Sequence, residues 1–255
     1  MSNWLETQFS LAGKTALITG ASKGIGASIA IAFARAGADI VLSGRSPQSL
    51  SATRNKIQEF GIKVEEIICD LSDINEIPNV FNNASLSNID ILINNAGTIS
   101  REPAISAKAD EWTKVINSNL TSVFLISQAC AKGMLERKSG RIINIASLLS
   151  FQGGINVLAY AASKHGVAGL TKALANEWGA SGVTVNAIAP GYIETDNTEA
   201  LRNDQSRNQA ILSRIPMGRW GVPEDISAVA VFLAAPASRY INGEILTVDG
   251  GWMSR

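Results

Sequence analysis

The sequence predicts an α/β fold of the doubly wound class, a parallel seven-stranded sheet with helices on both faces. Seven short apolar runs rich in β-formers recur along the 255 residues, and helical patterns lie between them. Several of those runs are continuous instead of alternating, which suits parallel strands buried on both faces. No Pro, Gly or Ser linker, internal repeat or charge block divides the chain, so residues 1–255 read as a single domain.

In chain order, the apolar run Thr15–Ile18 leads through glycines into a helical pattern over Gly24–Ala36. The run Ile40–Ser43 is followed by a helix over Gln48–Phe60, and Val64–Ile68 by a weaker pattern over Ile74–Asn83. Ile89–Ile93 precedes one long helical stretch, Ala109–Glu136, and Arg141–Ile145 precedes another, Ala159–Ala180. Thr184–Ile188, a helix over Glu224–Ala234 and a last strand over Ile245–Val248 complete the series. The rhythm breaks between Gly191 and Pro223, where Glu194–Leu212 has polar helical patterning. An insertion after a sheet strand is where a substrate lid would sit, at about residues 191–223.

Composition removes several function classes. Lys plus Arg is 22 and Asp plus Glu is 22, so the basic excess that nucleic-acid binding needs is missing. Hydrophobic residues at 46% against 17% charged can fill a core and argue against disorder. The single histidine, His165, cannot make a three-histidine zinc site, and Cys69 and Cys130 are too few for a thiolate cluster or disulfide framework. No metal is expected, and both cysteines read as small buried hydrophobes. Residues 1–11 lack the basic start and apolar run of a secretory signal, and no stretch has the roughly 18 apolar residues of a membrane span. The expectation is a soluble, cytoplasmic protein that works with hydroxyls, amines, amides and an organic cofactor, without a membrane or nucleic-acid partner.

Three segments carry chemistry. Thr19-Gly20-Ala21-Ser22-Lys23-Gly24-Ile25-Gly26 stands between the first strand and its helix, where glycines permit a tight turn and close approach of a pyrophosphate to the helix N-terminus. Its spacing is GxxxGxG and not GxGxxG, and it lacks the Gly-Lys-Ser/Thr of a P-loop. Asn94-Asn95-Ala96-Gly97 closes the fourth strand, at the crevice edge. In Tyr160-Ala161-Ala162-Ser163-Lys164 the phenol and the ammonium sit at i and i+4 on one helix face, where the cation would favour phenolate and lower a pKa that starts near 10. That is how a phenol becomes a usable acid or base near neutrality. Ser147 stands thirteen residues upstream, at the end of the fifth strand.

In this order the segments resemble the short-chain dehydrogenase/reductases, and the similarity runs from about Leu11 to the C-terminus through Asn119, Pro190-Gly191 and Val248-Asp249-Gly250-Gly251. The resemblance implies a Rossmann-like domain that transfers a hydride between NAD(P) and a carbonyl or secondary alcohol. It implies that Tyr160 protonates the carbonyl oxygen, that Ser147 holds that oxygen, and that Lys164 tunes Tyr160 and binds the nicotinamide ribose. Asn119 would hold a water that relays protons from Lys164. Asp70 would meet the adenine amino group with Leu71 beside it, Asn95 and Gly97 would line the adenosine side, and Ile193 and Thr195 would engage the carboxamide.

Gly44 occupies the position where an acidic residue would bind the adenosine 2′-hydroxyl, and Arg45 follows it. The resemblance then implies NADP(H) over NAD(H), with Arg45 and Lys23 flanking the 2′-phosphate and Ser43 or Ser46 adding hydroxyls. The stretches 147–154, 189–198 and 214–221 resemble those of 2-dehydro-3-deoxy-D-gluconate 5-dehydrogenases and neighbouring uronate reductases. A keto sugar acid needs a cation for its carboxylate and polar groups for its hydroxyls, which Arg101, Gln152, Tyr192 and Asn197 could supply. Alternatives are a 3-oxoacyl-carrier-protein reductase, a general ketone or keto ester reductase, and a dinucleotide-binding regulator without turnover. The long, weakly charged patterns Ala109–Glu136 and Ala159–Ala180 suggest burial between subunits, and the resemblance implies a homotetramer.

Overall fold

The computed structural model describes residues 3–83 and 88–255; Met1 and Ser2 of the N-terminal stretch lie outside the described residues. All seven expected strands are present: β1 Thr15–Thr19, β2 Asp39–Gly44, β3 Val64–Ile68, β4 Ile91–Asn94, β5 Gly140–Ile145, β6 Val183–Pro190 and β7 Ile245–Val248. They form one parallel sheet in the order β3-β2-β1-β4-β5-β6-β7. Every residue of β4 is buried, as are Ala16–Thr19 of β1 and all of β6 except Thr184, because helices cover both faces.

The helices are α1 Trp4–Phe9, α2 Gly24–Arg35, α3 Pro47–Gln58, α4 Glu76–Asn83, α5 Ala109–Ile116, α6 Ser122–Glu136, α7 Leu158–Trp178, α8 Asp196–Asn203, α9 Gln205–Leu212 and α10 Pro223–Ala234. On one face of the sheet, Ile29, Phe33 and Ala34 of α2 and Ile226, Ala230 and Leu233 of α10 share a core with Ile18, Ile40 and Ile143. On the other, Ile126, Cys130 and Met134 of α6 and Leu174 and Trp178 of α7 meet Leu17, Leu92 and Val185. Helix ends follow local chemistry. At α3, Ser46 accepts from Ser49 N at 3.2 Å and Pro47 supplies a preset φ. At α2, Gly37 (φ 96°) closes a Schellman motif, with its N–H donating to Ala34 O and Ala38 N–H to Phe33 O.

Two expected helices differ. Ala109–Glu136 is not one α-helix: a π-turn over Asn117–Thr121 separates α5 from α6, closed by Ser122 N–H donating to Asn117 O. The apolar periodicity runs through it, so patterning cannot reveal a single wider turn. Glu194–Leu212 is two helices, divided at Asp204, whose carboxylate caps α9 by accepting from Ser206 N and Arg207 N. Helix α1 was not anticipated.

Candidate active site

The strand order reverses between β1 and β4, and the crevice of such a sheet opens beyond the strand C-termini at that point. A cleft of about 680 Å³ lies there. Ser22, Lys23, Ile25 and the three glycines of the β1–α2 turn line one end. Gly20 and Gly24 have φ of 63° and 56°, a region glycine enters without strain, and a Cβ at Gly26 would lie 2.4 Å from Gly20 O and Asn95 Nδ2. Ser43 and Arg45 from the end of β2, and Asp70 and Leu71 after β3, line the same end. Pro190, Gly191, Ile193, Thr195 and Asn197 close the cleft from the segment after β6.

Thr19 and Asn95 lock the two central strand ends together. Thr19 Oγ1 accepts from Asn95 N at 3.0 Å and Ala96 N at 3.1 Å, while Asn95 Nδ2 donates to the carbonyls of Thr19 and Gly20, each at 3.0 Å. Asn95 therefore lines the cleft but spends its amide donor on bracing the glycine turn. At the sheet edge, Asp70 accepts from Ser72 N and Oγ, which hold its carboxyl below the usual range against opposing burial, with Arg45 and Lys114 helping. Lys114 lines the cleft from α5 and was not singled out from sequence.

Ser147, Tyr160 and Lys164 converge at the other end. Lys164 Nζ lies 5.5 Å from the Tyr160 ring centroid and donates to Ile145 O at 2.6 Å. Burial pushes the Lys164 pKa down to about 8. Tyr160 departs from the sequence expectation. Burial raises its pKa, and the hydrogen bond with Ser147 and the charge of Arg101 only partly oppose this. A desolvated phenolate costs more than those two contacts return.

Asn119 is fully buried in the π-turn, and its amide is committed to protein. Its Oδ1 accepts from Thr98 N at 2.8 Å, and its Nδ2 donates to Thr98 O at 2.9 Å and Ser163 Oγ at 3.2 Å. The side chain thus ties the loop after β4 to α7. Ser163 donates in turn to Tyr160 O at 2.7 Å. It lies inside the motif quoted from sequence, yet nothing in its spacing marks it as the link.

Lys23, expected beside the 2′-phosphate, lines the cleft with its ammonium paired to Asp196 at the start of α8. Ser46 caps α3, its Oγ accepting from Ser49 N. Of the four substrate candidates, Asn197 lines the cleft. Arg101 donates to Asn197 O at 2.9 Å and acts electrostatically on Tyr160. Tyr192 instead joins an aromatic cluster, 5.4 Å from Trp220 and 4.7 Å from Trp252 between ring centroids. Gln152 follows the short helical turn Leu148–Ser150 and donates its main-chain N–H to Leu148 O. Arg101, Tyr192 and Gln152 do not line the cleft.

Comparison with known proteins agrees with this geometry. Residues 20–253 match the family described as Enoyl-(Acyl carrier protein) reductase. The 2-dehydro-3-deoxy-D-gluconate 5-dehydrogenase of Bacillus subtilis (strain 168) is 54% identical, over 99% of each chain. A crystal structure from Agrobacterium tumefaciens with bound NADP, provisionally named a 2-deoxy-D-gluconate 3-dehydrogenase, superposes with a TM-score of 0.92 at 50% identity, covering 97% of this chain and 99% of that one. A gluconate 5-dehydrogenase from Burkholderia cenocepacia J2315, in complex with NADP and tartrate, superposes with a TM-score of 0.93 at 36% identity, covering 98% and 99%. The alternative of a regulator without turnover gives way to an oxidoreductase acting on CH–OH groups. With a seven-stranded parallel sheet, a glycine-lined cleft at its switch point and Ser147, Tyr160 and Lys164 gathered at one end, the chain belongs to the short-chain dehydrogenase/reductase family.

Proposed function

We propose that the protein is an NADP(H)-preferring oxidoreductase of a keto sugar acid, interconverting its ketone and secondary alcohol. The observation that carries this is the position of Arg101, whose guanidinium reaches the Asn197 carbonyl and whose charge acts on the Tyr160 phenol. A substrate that offers a ketone to Tyr160 and a carboxylate nearby would meet a bidentate donor. The sugar-acid names of the relatives support the same class.

The cleft suits a dinucleotide on two structural grounds. The three glycines of the β1–α2 turn line the cleft where α2 begins, and the Ser43 hydroxyl is buried at the β2 end without a hydrogen-bond partner among the described residues. Gly20, Gly24 and Gly26 would hold the pyrophosphate, Arg45 and Ser43 the 2′-phosphate end, Asp70 and Leu71 the adenine, and Ile193 and Thr195 the carboxamide. Bound there, the dinucleotide supplies or accepts the hydride. Ser147 orients the substrate oxygen and stabilises its developing charge. Tyr160 gives that oxygen a proton in reduction and takes it back in oxidation. Lys164 binds the ribose and passes a proton to Tyr160. Asn119 positions this group through Thr98 and Ser163. The segment 191–223 serves as the substrate lid, its base pinned by the pairing of Ile193 with Gly221.

The assembly proposed is a homotetramer built through α5, α6 and α7, where Trp112 and Phe124 are each about 40% exposed. The deciding experiment is NADPH oxidation against keto sugar acids, neutral ketoses, β-keto esters and acetoacetyl thioesters. The highest kcat/KM is expected on a keto sugar acid, with a loss of at least ~10-fold in Arg101→Ala. The highest value on a thioester, with sugar-acid turnover untouched by that substitution, would transfer the assignment to a carrier-protein reductase.

A further inference from the structure

Three consecutive residues at the start of α8 span the cleft. Thr195 faces the glycine turn, with its Cγ2 3.4 Å from where a Cβ on Gly24 would lie. The Asp196 carboxylate is paired with the Lys23 ammonium on that turn. On the opposite side, Arg101 holds the Asn197 carbonyl at 2.9 Å. Lys23 and Asp196 both line the cleft and Arg101 does not, so it is the Lys23–Asp196 pair that lies across its mouth.

We propose that Lys23 and Asp196 form a clasp that closes the mouth over the bound cofactor and sets how fast it leaves. Asp196 is then a positioning residue for the cofactor, a role distinct from recognition of the 2′-phosphate. The inference rests on the dinucleotide reading of the cleft. Its physical basis is the exposure of the pair, with side chains 70% and 66% accessible. An ion pair so open to water is weak, which suits a contact that must break in every catalytic cycle. Burying it would lock the mouth shut, and losing it would remove the ion pair that links α8 to the glycine turn. The clasp joins two parts of the protein and does not depend on what the adenosine ribose carries, so it acts equally on NADPH and NADH.

The test is the dissociation rate of each reduced cofactor, followed by the fluorescence change when an excess of its oxidised form displaces it. Release is expected to be about two- to five-fold faster in Asp196→Asn, by the same factor for both cofactors. Asp196→Glu should restore slow release. A Lys23→Gln/Asp196→Asn double variant should release no faster than Lys23→Gln alone. Glu199→Gln removes another acid from the first turn of α8 without touching Lys23, so it should leave release unchanged. An unchanged rate in Asp196→Asn, an equal increase in Glu199→Gln, or an effect confined to NADPH would overturn the clasp. The last result would assign Lys23 to the 2′-phosphate. Failure of both cofactors to bind the wild-type protein would instead remove the dinucleotide reading, and the clasp with it.

Discussion

Asn119 and Thr98 exchange two hydrogen bonds, with Thr98 N–H donating to Oδ1 at 2.8 Å and Nδ2 donating to the Thr98 carbonyl at 2.9 Å. The pair fastens the loop after β4 to the π-turn, and the same Nδ2 reaches Ser163, which holds Tyr160 O. Positioning of the phenol thus depends on an amide that can both donate and accept. Asn119→Asp keeps the shape but sets a carboxylate oxygen against the Thr98 carbonyl. Urea unfolding should show a loss of about 3 kcal/mol, the scale of a buried polar group left unsatisfied. A change within experimental error would mean that the brace is dispensable.

Tyr160→Phe removes the acid and keeps the ring. Turnover should fall by at least ~10²-fold, while NADPH binding, read by fluorescence titration, stays within a few-fold of wild type. Retention of most of the rate would reject Tyr160 as the proton donor.

The pH dependence follows from the raised Tyr160 pKa. Oxidation needs the ionised phenol as base, so its rate should climb through the alkaline range and not level off near neutrality. Arg101 pulls that pKa down, so Arg101→Ala should move the rising limb of kcat/KM to higher pH. A limb that stays in place or moves the other way would separate Arg101 from the phenol.

Lys164 makes a second pH prediction, on stability. Burial takes its pKa from 10.5 down to about 8, so between those values the unfolded chain binds more protons than the folded one. This group therefore penalises the folded state fully below about pH 8, and the penalty fades as pH rises towards 10.5. The unfolding free energy of wild type relative to Lys164→Met should increase from pH 8 to pH 10. A flat difference would show that the ammonium is not desolvated.

Arg45→Asp replaces the cation at the β2 end with the acid that a ribose 2′-hydroxyl prefers. The kcat/KM ratio of NADPH to NADH should fall by at least ~10-fold, and an unchanged ratio would move 2′-phosphate recognition elsewhere.

Light scattering should return a mass four times the 26.9-kDa chain, and Phe124→Asp should yield smaller species. A wild-type monomer at micromolar concentration would exclude the tetramer.

The fold class was legible in the chain because buried parallel strands leave continuous apolar runs and their connections leave glycines and helical periodicity. Ile142–Ile145 and Leu17–Ile18 announce the sheet without any tertiary knowledge, and so do the residue types at its C-terminal edge. The glycine turn, Ser147, Tyr160 and Lys164 were recoverable from order and spacing, since chemistry restricts which side chains can do the work. How those groups are loaded was not. The direction of the Tyr160 shift depends on desolvation by residues distant in sequence, and the π-turn that carries Asn119 leaves the apolar period intact. Lys23 and Asp196 are 173 positions apart, Asn119 and Ser163 44, and neither pair has a local signature. Only the return of the chain across the sheet brings such partners within hydrogen-bonding reach, because hydrogen bonds and desolvation act over a few ångströms of space, whatever the separation along the chain.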